Sequence, residues 1–210
     1  MKNILITGAF GQLGLVLQRL LSNKFNLTST SYSTKNTSHF GTQIAKLDVT
    51  KPASVKDAID SYNPDIIINC AAATNVDRCE KDHNFAYSIN VHGVENLIKH
   101  CKKNTRIIHI STDYVFDGNN KQNYEESDSP YPINYYGKTK LQAENILRGS
   151  NLSYSIIRSS MLYGAPMSSK QNFFSWVHDS LIKNNEIEVV DDIYSNPAWL
   201  RQLGDVIFQL

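Results

Sequence analysis

This sequence predicts an α/β fold in which helices cover both faces of a parallel sheet, and three observations carry the prediction. Short apolar runs suited to strands buried on both faces alternate with segments of helical periodicity along most of the chain. The first run, Asn3 to Thr7, ends in Gly8-Ala9-Phe10-Gly11-Gln12-Leu13-Gly14 and leads into an amphipathic segment with Leu13, Leu17, Leu20 and Leu21 on one side. A later run, Arg106 to Ile110, delivers Ser111-Thr112-Asp113 to the same carboxyl edge. Ligands of open parallel sheets bind at the carboxyl ends of the strands, so Gly8, Ala72 and Thr112 are expected to converge on one crevice. The expected fold class is therefore a Rossmann-type, doubly wound parallel sheet.

The elements follow in chain order. Strand, glycine turn, helix is the setting in which Gly-x-x-Gly-x-x-Gly binds a dinucleotide, because bare amides at the helix N-terminus face a pyrophosphate and absent side chains let the backbone come close. Gly8, Phe10, Gly11, Gln12, Leu13 and Gly14 are the cofactor-binding candidates there. A tight turn needing positive φ is the plainer reading, but one turn does not need three glycines at this spacing. A second strand fits Leu27 to Ser31. NAD-selective sites place an acidic residue about 20 residues past the glycines, whereas the first acidic residue of this chain is Asp48. Ser31, Ser33 and Lys35 are instead candidates to hold a 2′-phosphate, although they also fit an ordinary polar loop. NADP(H) is thus the preferred cofactor and NAD(H) the alternative.

Ile44 to Leu47 gives a third strand ending at Asp48-Val49, where adenine is expected, and Pro52 to Tyr62 fits a helix with proline in its first turn. Asp65 to Asn69 is another buried strand; Ala71, Ala72 and Ala73 after it leave a ligand room. Residues 82–103 read as a helix with Ala86, Ile89, Val94, Leu97 and Ile98 apolar. Beyond a helix over 134–149, Ser153 to Ile157 is strand-like. Asn172 to Lys183 reads as a helix with Phe173, Phe174, Val177 and Leu181 inward, and Ile187 to Val190 as a short strand.

Composition narrows the function. A chain of 210 residues buries one substantial core. A net charge of +1 with 20% charged residues supplies no field for nucleic acid or an anionic membrane, so neither is an expected partner. No apolar run is long enough to span a bilayer and Met1-Lys2-Asn3 leads straight into strand residues, so the expected compartment is cytoplasmic. Cys70, Cys79 and Cys101 lack Cys-x-x-Cys spacing and read as reduced structural thiols. The six histidines show no metal-ligand spacing, and no metal site is expected.

Chemistry concentrates in Asn134-Tyr135-Tyr136-Gly137-Lys138-Thr139-Lys140. On a helix Tyr136 and Lys140 share a face, and a cation beside a phenol favours the phenolate and makes the group useful in proton transfer. Alone, the spacing is weak, since 11 tyrosines make it easy to meet by chance.

With Ile110 to Gly118 (Ile-Ser-Thr-Asp-Tyr-Val-Phe-Asp-Gly), the Gly8 to Gly14 turn, Asn69 to Asp77 and Arg158 to Gly164, the chain resembles the extended short-chain dehydrogenase/reductases. Within them it is most similar to dTDP-4-dehydrorhamnose reductases. The resemblance implies reduction of a nucleotide-linked 4-keto sugar, with Thr112, Tyr136 and Lys140 catalytic. Tyr136 would supply the proton, Thr112 would hold the carbonyl oxygen, and Lys140 would keep Tyr136 acidic and bond the nicotinamide ribose. Thr74, Val76, Thr112, Asp113, Tyr114, Phe116, Met161 and Asn172 would contact substrate. Met161 stands where many members carry Trp, and Leu15-Val16 where some carry a carboxylate that would serve Mg²⁺. Members usually continue well past Leu210, so the expected organisation is a dinucleotide-binding domain over 1–160 and a small, incomplete substrate-binding part over 161–210, interleaved with it. A homodimer through helices 82–103 and 134–149 is a further implication. Two other readings stay open: a nucleotide-sugar epimerase or dehydratase, and a non-catalytic NADP-binding regulatory subunit. Asp113-Tyr114 after Thr112, where dehydratases usually carry Asp-Glu, speaks against dehydration.

Overall fold

The computed structural model describes residues 1–33, 44–120, 122–164 and 172–210. Six parallel strands, β1 (Asn3–Thr7), β2 (Asn26–Ser31), β3 (Ile44–Lys46), β4 (Ile66–Asn69), β5 (Arg106–Thr112) and β6 (Ser153–Ser159), lie in the order β3-β2-β1-β4-β5-β6. The chain leaves β1 in both directions, through β2 and through β4, so the carboxyl ends of β1 and β4 flank the point where the order reverses. A crevice opens there for geometric reasons, because successive connections run to opposite faces.

Alternation within each strand divides the core. Ile4, Ile6, Ile68 and Ile108 face α1 (Gln12–Leu21) and α8 (Leu200–Gln209), packing with Leu13, Leu17, Leu21, Leu200 and Ile207. Leu5, Ile67 and Ile107 face the other layer, α2 (Pro52–Tyr62), α5 (Gly93–His100) and α6 (Tyr135–Arg148), where Val55, Ile59, Leu97 and Leu147 meet them. Local signals end the helices: Asn63 closes α2 in the left-handed region at φ 43°, and the Asn134 side chain opens α6 by accepting the Gly137 amide at 2.8 Å.

The helix expected over 82–103 is a composite. Following α3 (Val76–Lys81), it runs through α4 (His83–Tyr87), a π segment (Ser88–His92) and α5, stopping at His100. The widened turn brings Asn90 inward, where its amide bonds both polar groups of Ala73 and the Thr139 hydroxyl.

The C-terminal fifth departs from expectation. Residues 187–190 form no strand: among the described residues none pairs with them, and Val190 is 67% exposed. In α7 (Phe173–Ile182) the residues expected inward stand out from the sheet; Leu181 is 65% exposed, and Phe173 and Phe174 pack on Trp176, on each other and on Tyr163. The period was read correctly, but among the described residues no layer covers this face. Two-residue strands β7 (Leu162–Tyr163) and β8 (Ala198–Trp199) pair in parallel and lead into α8, which the sequence reading did not place. α8 returns to the first half of the chain: a Cβ on Gly204 would lie 2.6 Å from Leu20 and 3.2 Å from Val16 of α1.

Candidate active site

The glycine turn is built by exclusion of side chains. Gly8 adopts φ +69°, and a Cβ there would sit 2.8 Å from the Cys70 and Ala71 backbone; one on Gly14 would sit 2.5 Å from the Gly8 carbonyl. β1 and β4 therefore touch through bare backbone at the crevice. α1 begins at Gly11 with no side-chain cap and no acidic residue in its first turn, which leaves its leading amides and the positive end of its dipole for an anionic ligand. Leu13 itself is core, so only its backbone serves the turn. The Asn172 amide, expected against substrate, bonds Gln12 at 3.2 Å, which ties the start of α7 to the glycine turn.

Other cofactor candidates divide. Ser31 is buried at the end of β2 and Ser33 is exposed, while Lys35 lies outside the described residues. The Asp48 carboxylate is committed to its own turn, accepting the Thr50 amide at 2.9 Å and hydroxyl at 2.7 Å. Val49 is buried against Gly93. Ala71 donates its N–H to the Thr7 hydroxyl, and Ala73 is fixed by Asn90, so the small-residue loop is held at both ends while Ala72 stays partly open.

Thr112, Tyr136 and Lys140 are all buried at the end of β5 and the first turns of α6. Gly137 makes their approach possible: a Cβ there would collide with the Tyr114 carbonyl oxygen, so only glycine lets the turn after β5 lie on α6. The Thr112 hydroxyl donates to Asp113 at 3.1 Å and accepts the Tyr114 amide at 3.2 Å. Burial pushes the Tyr136 hydroxyl up to about 12, and the hydrogen bond with Thr112 offsets this in part. Lys140, moved by burial down to about 8, turns its amine to the Ile110 carbonyl at 2.6 Å and to His109 Nε2 at 3.2 Å. The acidifying effect on Tyr136 expected from the four-residue spacing is thus absent from this arrangement. The two residues share a helix face, but the long lysine chain reaches back to β5, and desolvation governs the phenol. A phenol held neutral is suited to giving a proton.

Around this centre, Tyr114 stands edge-on to Tyr136 at 5.7 Å, and Phe116 stacks on Tyr124 at 4.2 Å with the Arg158 guanidinium 5.0 Å away. Thr74 is exposed, Val76 packs on the cluster that includes Tyr136, and Met161 is 39% exposed. Among the described residues no group of three or more His, Cys, Asp and Glu is placed to hold a metal. Cys70, Cys79 and Cys101 are free thiols, and burial pushes those of Cys70 and Cys101 up to about 12.

Sequence reasoning missed a second set of residues. Glu144, fully buried one turn after Lys140, accepts from Ser111 at 2.5 Å, Arg158 at 2.7 Å and Arg148 at 2.8 Å. Burial alone would raise its pKa, but these partners outweigh it and hold the carboxyl below its ordinary range. This network pins α6 to β5 and β6. Thr7, Asn69 and His109 were missed as well; their signal is a polar residue directly after an apolar run in each of three strands.

Comparison with known proteins agrees with the geometry. The family model "RmlD substrate binding domain" matches residues 1–210. The dTDP-4-dehydrorhamnose reductase of Aggregatibacter actinomycetemcomitans is 36% identical, over 100% of this chain and 67% of its own length. The Escherichia coli K12 enzyme of the same name is 36% identical, over 97% of this chain and 64% of its own. The dTDP-4-dehydrorhamnose reductase of Bacillus anthracis, solved in complex with NADP, superposes with a TM-score of 0.87 at 33% identity, covering 100% of this chain and 70% of that one. The chain thus spans about two thirds of the length of these relatives. With its doubly wound sheet, glycine turn and Thr/Tyr/Lys cluster, the chain belongs to the dTDP-4-dehydrorhamnose reductase family.

Proposed function

We propose that this protein is an NADPH-dependent reductase of a nucleotide-linked 4-keto sugar, with NADH as the weaker alternative. The observation that carries the reading is the packing of Thr112 and Tyr136 at the carboxyl end of β5, beside the uncapped glycine turn at β1. The turn fits a dinucleotide: Gly8 and Gly14 leave no room for a Cβ, and the leading amides of α1 have no side-chain cap. Gly8, Gly11 and Gly14 would hold the pyrophosphate, Ser31 and Ser33 the 2′-phosphate, and Ala71 to Ala73 the neighbouring ribose. When bound, the reduced nicotinamide supplies hydride to the keto carbon.

The chain's own residues handle the proton and the charge. Tyr136, kept neutral by burial, gives its proton to the sugar oxygen as negative charge develops there. Thr112 aligns that oxygen, and Lys140 bonds the cofactor ribose. Tyr114, Phe116 and Met161 wall the sugar nucleotide. The family's naming as dTDP-4-dehydrorhamnose reductases and the bound NADP of the Bacillus anthracis relative support this reading. It extends to a soluble cytoplasmic enzyme paired with a second copy through helices 82–103 and 134–149, which sedimentation of the purified chain tests.

Incubation with a dTDP-4-keto sugar and NADPH tests the activity. One NADPH oxidised per sugar reduced is the expected result. Turnover of the sugar without net oxidation indicates an epimerase, and binding of NADPH without turnover a regulatory subunit; either outcome overturns the reductase reading.

A further inference from the structure

Three neighbouring strands carry a polar residue at one level, which is the last residue of β1 and of β4 and the middle residue of β5. Thr7 of β1 is in register with Asn69 of β4, and Asn69 with His109 of β5. Two residues earlier the same face carries Leu5, Ile67 and Ile107, so the apolar layer gives way to a polar row just below the crevice. Thr7, Asn69, His109 and Lys140 are each at most 3% exposed. Buried polar groups cost stability unless bonded, and another apolar row would pack here without that cost.

The row is continuous. The Ala71 N–H donates to Thr7 Oγ1 at 3.1 Å, Thr7 Oγ1 donates to Asn69 Oδ1 at 2.6 Å, Asn69 Nδ2 meets His109 Nδ1 at 3.1 Å, and His109 Nε2 meets the Lys140 amine at 3.2 Å. In this direction Nδ1 accepts, so the ring proton sits on Nε2 and faces the lone pair of an uncharged amine. With Lys140 charged, two donors would oppose each other. The remedy lies within the row: half a rotation of the Asn69 amide lets His109 Nδ1–H donate to Oδ1, frees Nε2 to accept from the ammonium, and turns Nδ2 toward Thr7.

We propose that Thr7, Asn69 and His109 are positioning residues for Lys140: a polar row across three strands that holds its amine at the Ile110 carbonyl and accommodates either charge of that amine by reversing its hydrogen bonds. The inference rests on the reductase reading of Lys140 but concerns how the lysine is held. On titration one proton leaves the Lys140–His109 pair for solvent, the ring proton changes nitrogen, and no bond other than N–H is made or broken. The other titratable groups acting on Lys140 are Cys70 after β4 and, on α6, Glu144, which is already neutralised by Arg158 and Arg148; Tyr136 shares the helix face, but the amine turns away from it to β5. His109 stays neutral because burial and the lysine both oppose its protonation.

The test is ¹⁵N NMR of the imidazole nitrogens in the ¹⁵N-histidine-labelled chain, with His109→Gln to assign the signal. Below pH about 8 the proton is expected on Nδ1 and above it on Nε2, whereas Lys140→Met holds one tautomer throughout. A His109 that titrates like a free imidazole, or whose tautomer is indifferent to Lys140, overturns the row. A kinetic arm uses the pH profile of kcat/KM for keto-sugar reduction. His109→Leu is expected to move the alkaline limb by about one pH unit and His109→Gln to leave it near its original place; an unmoved limb in an active His109→Leu also overturns the proposal. A wild-type chain that reduces no keto sugar sinks the reductase reading alone, since the NMR arm still decides the row.

Discussion

At the scale of single residues, the site is governed by desolvation. Tyr136 and Lys140 are both driven toward their neutral forms, one up to about 12 and the other down to about 8. Replacing Tyr136 by Phe removes the proposed proton donor while keeping the ring, and is expected to cut kcat by about 10²–10⁴-fold with the thermal transition unchanged. Lys140 makes a second prediction through linkage. Its pKa lies at 10.5 in the unfolded chain and about 8 in the folded one, so the unfolded state binds more protons between these values and stability rises with pH across that window. Below pH 8 both states hold the charge and the cost of burying it is fully present. Urea titrations at pH 7.5 and 10 should therefore show the wild type gaining on Lys140→Met as pH rises; a constant difference between the two proteins contradicts the burial of a titrating amine.

The glycine turn was legible from local spacing, and Thr112, Tyr136 and Lys140 were proposed through the resemblance, because each belongs to a motif contained in one segment. His109, Asn69, Thr7 and Glu144 escaped because their partners lie on other strands, at separations such as the 62 residues between Thr7 and Asn69. Only strand register brings them together, and register is not written in a single segment. The polar residue after the apolar run of each of these strands is visible in the sequence; that the three align is not.

At the scale of elements, α6 is the part on which the site depends. It is fixed from three sides: Gly137 under the Tyr114 backbone, Asn90 of the π segment bonded to Thr139, and Glu144 bonded to β5 and β6. Glu144→Gln leaves Arg158 without its buried counter-charge and is expected to destabilise the fold by about 3–5 kcal/mol, measured by urea denaturation. A loss below about 1 kcal/mol would show that the network is not what seats α6. The sheet strands and the longer helices of the first 160 residues were legible because each is a patterned run bounded by turn residues. The inward face expected for α7, and the strand expected at 187–190, differ for the complementary reason: periodicity reports an apolar face, not whether a layer exists to cover it.

For the whole molecule, α8 joins the end of the described chain to its beginning. Leu200 is fully buried in the core shared with α1, so Leu200→Ala is expected to cost about 2–5 kcal/mol, and a mutant of unchanged Tm would contradict that packing. Leu181, Ile182, Val190, Ile193 and Tyr194 form the opposite case, each more than half exposed along one stretch. Apolar surface of this kind should bind a dye such as ANS, and charged substitutions at Ile182 and Ile193 should lower that signal. The central claim concerns hydride and proton meeting at one sugar carbon beside Tyr136. It is tested most directly by supplying NADPH deuterated at the transferable position of C4 together with a dTDP-4-keto sugar. One deuterium per turnover at sugar C4, with the reaction lost in Tyr136→Phe, is the predicted result; deuterium-free product, or full turnover by Tyr136→Phe, would contradict the account.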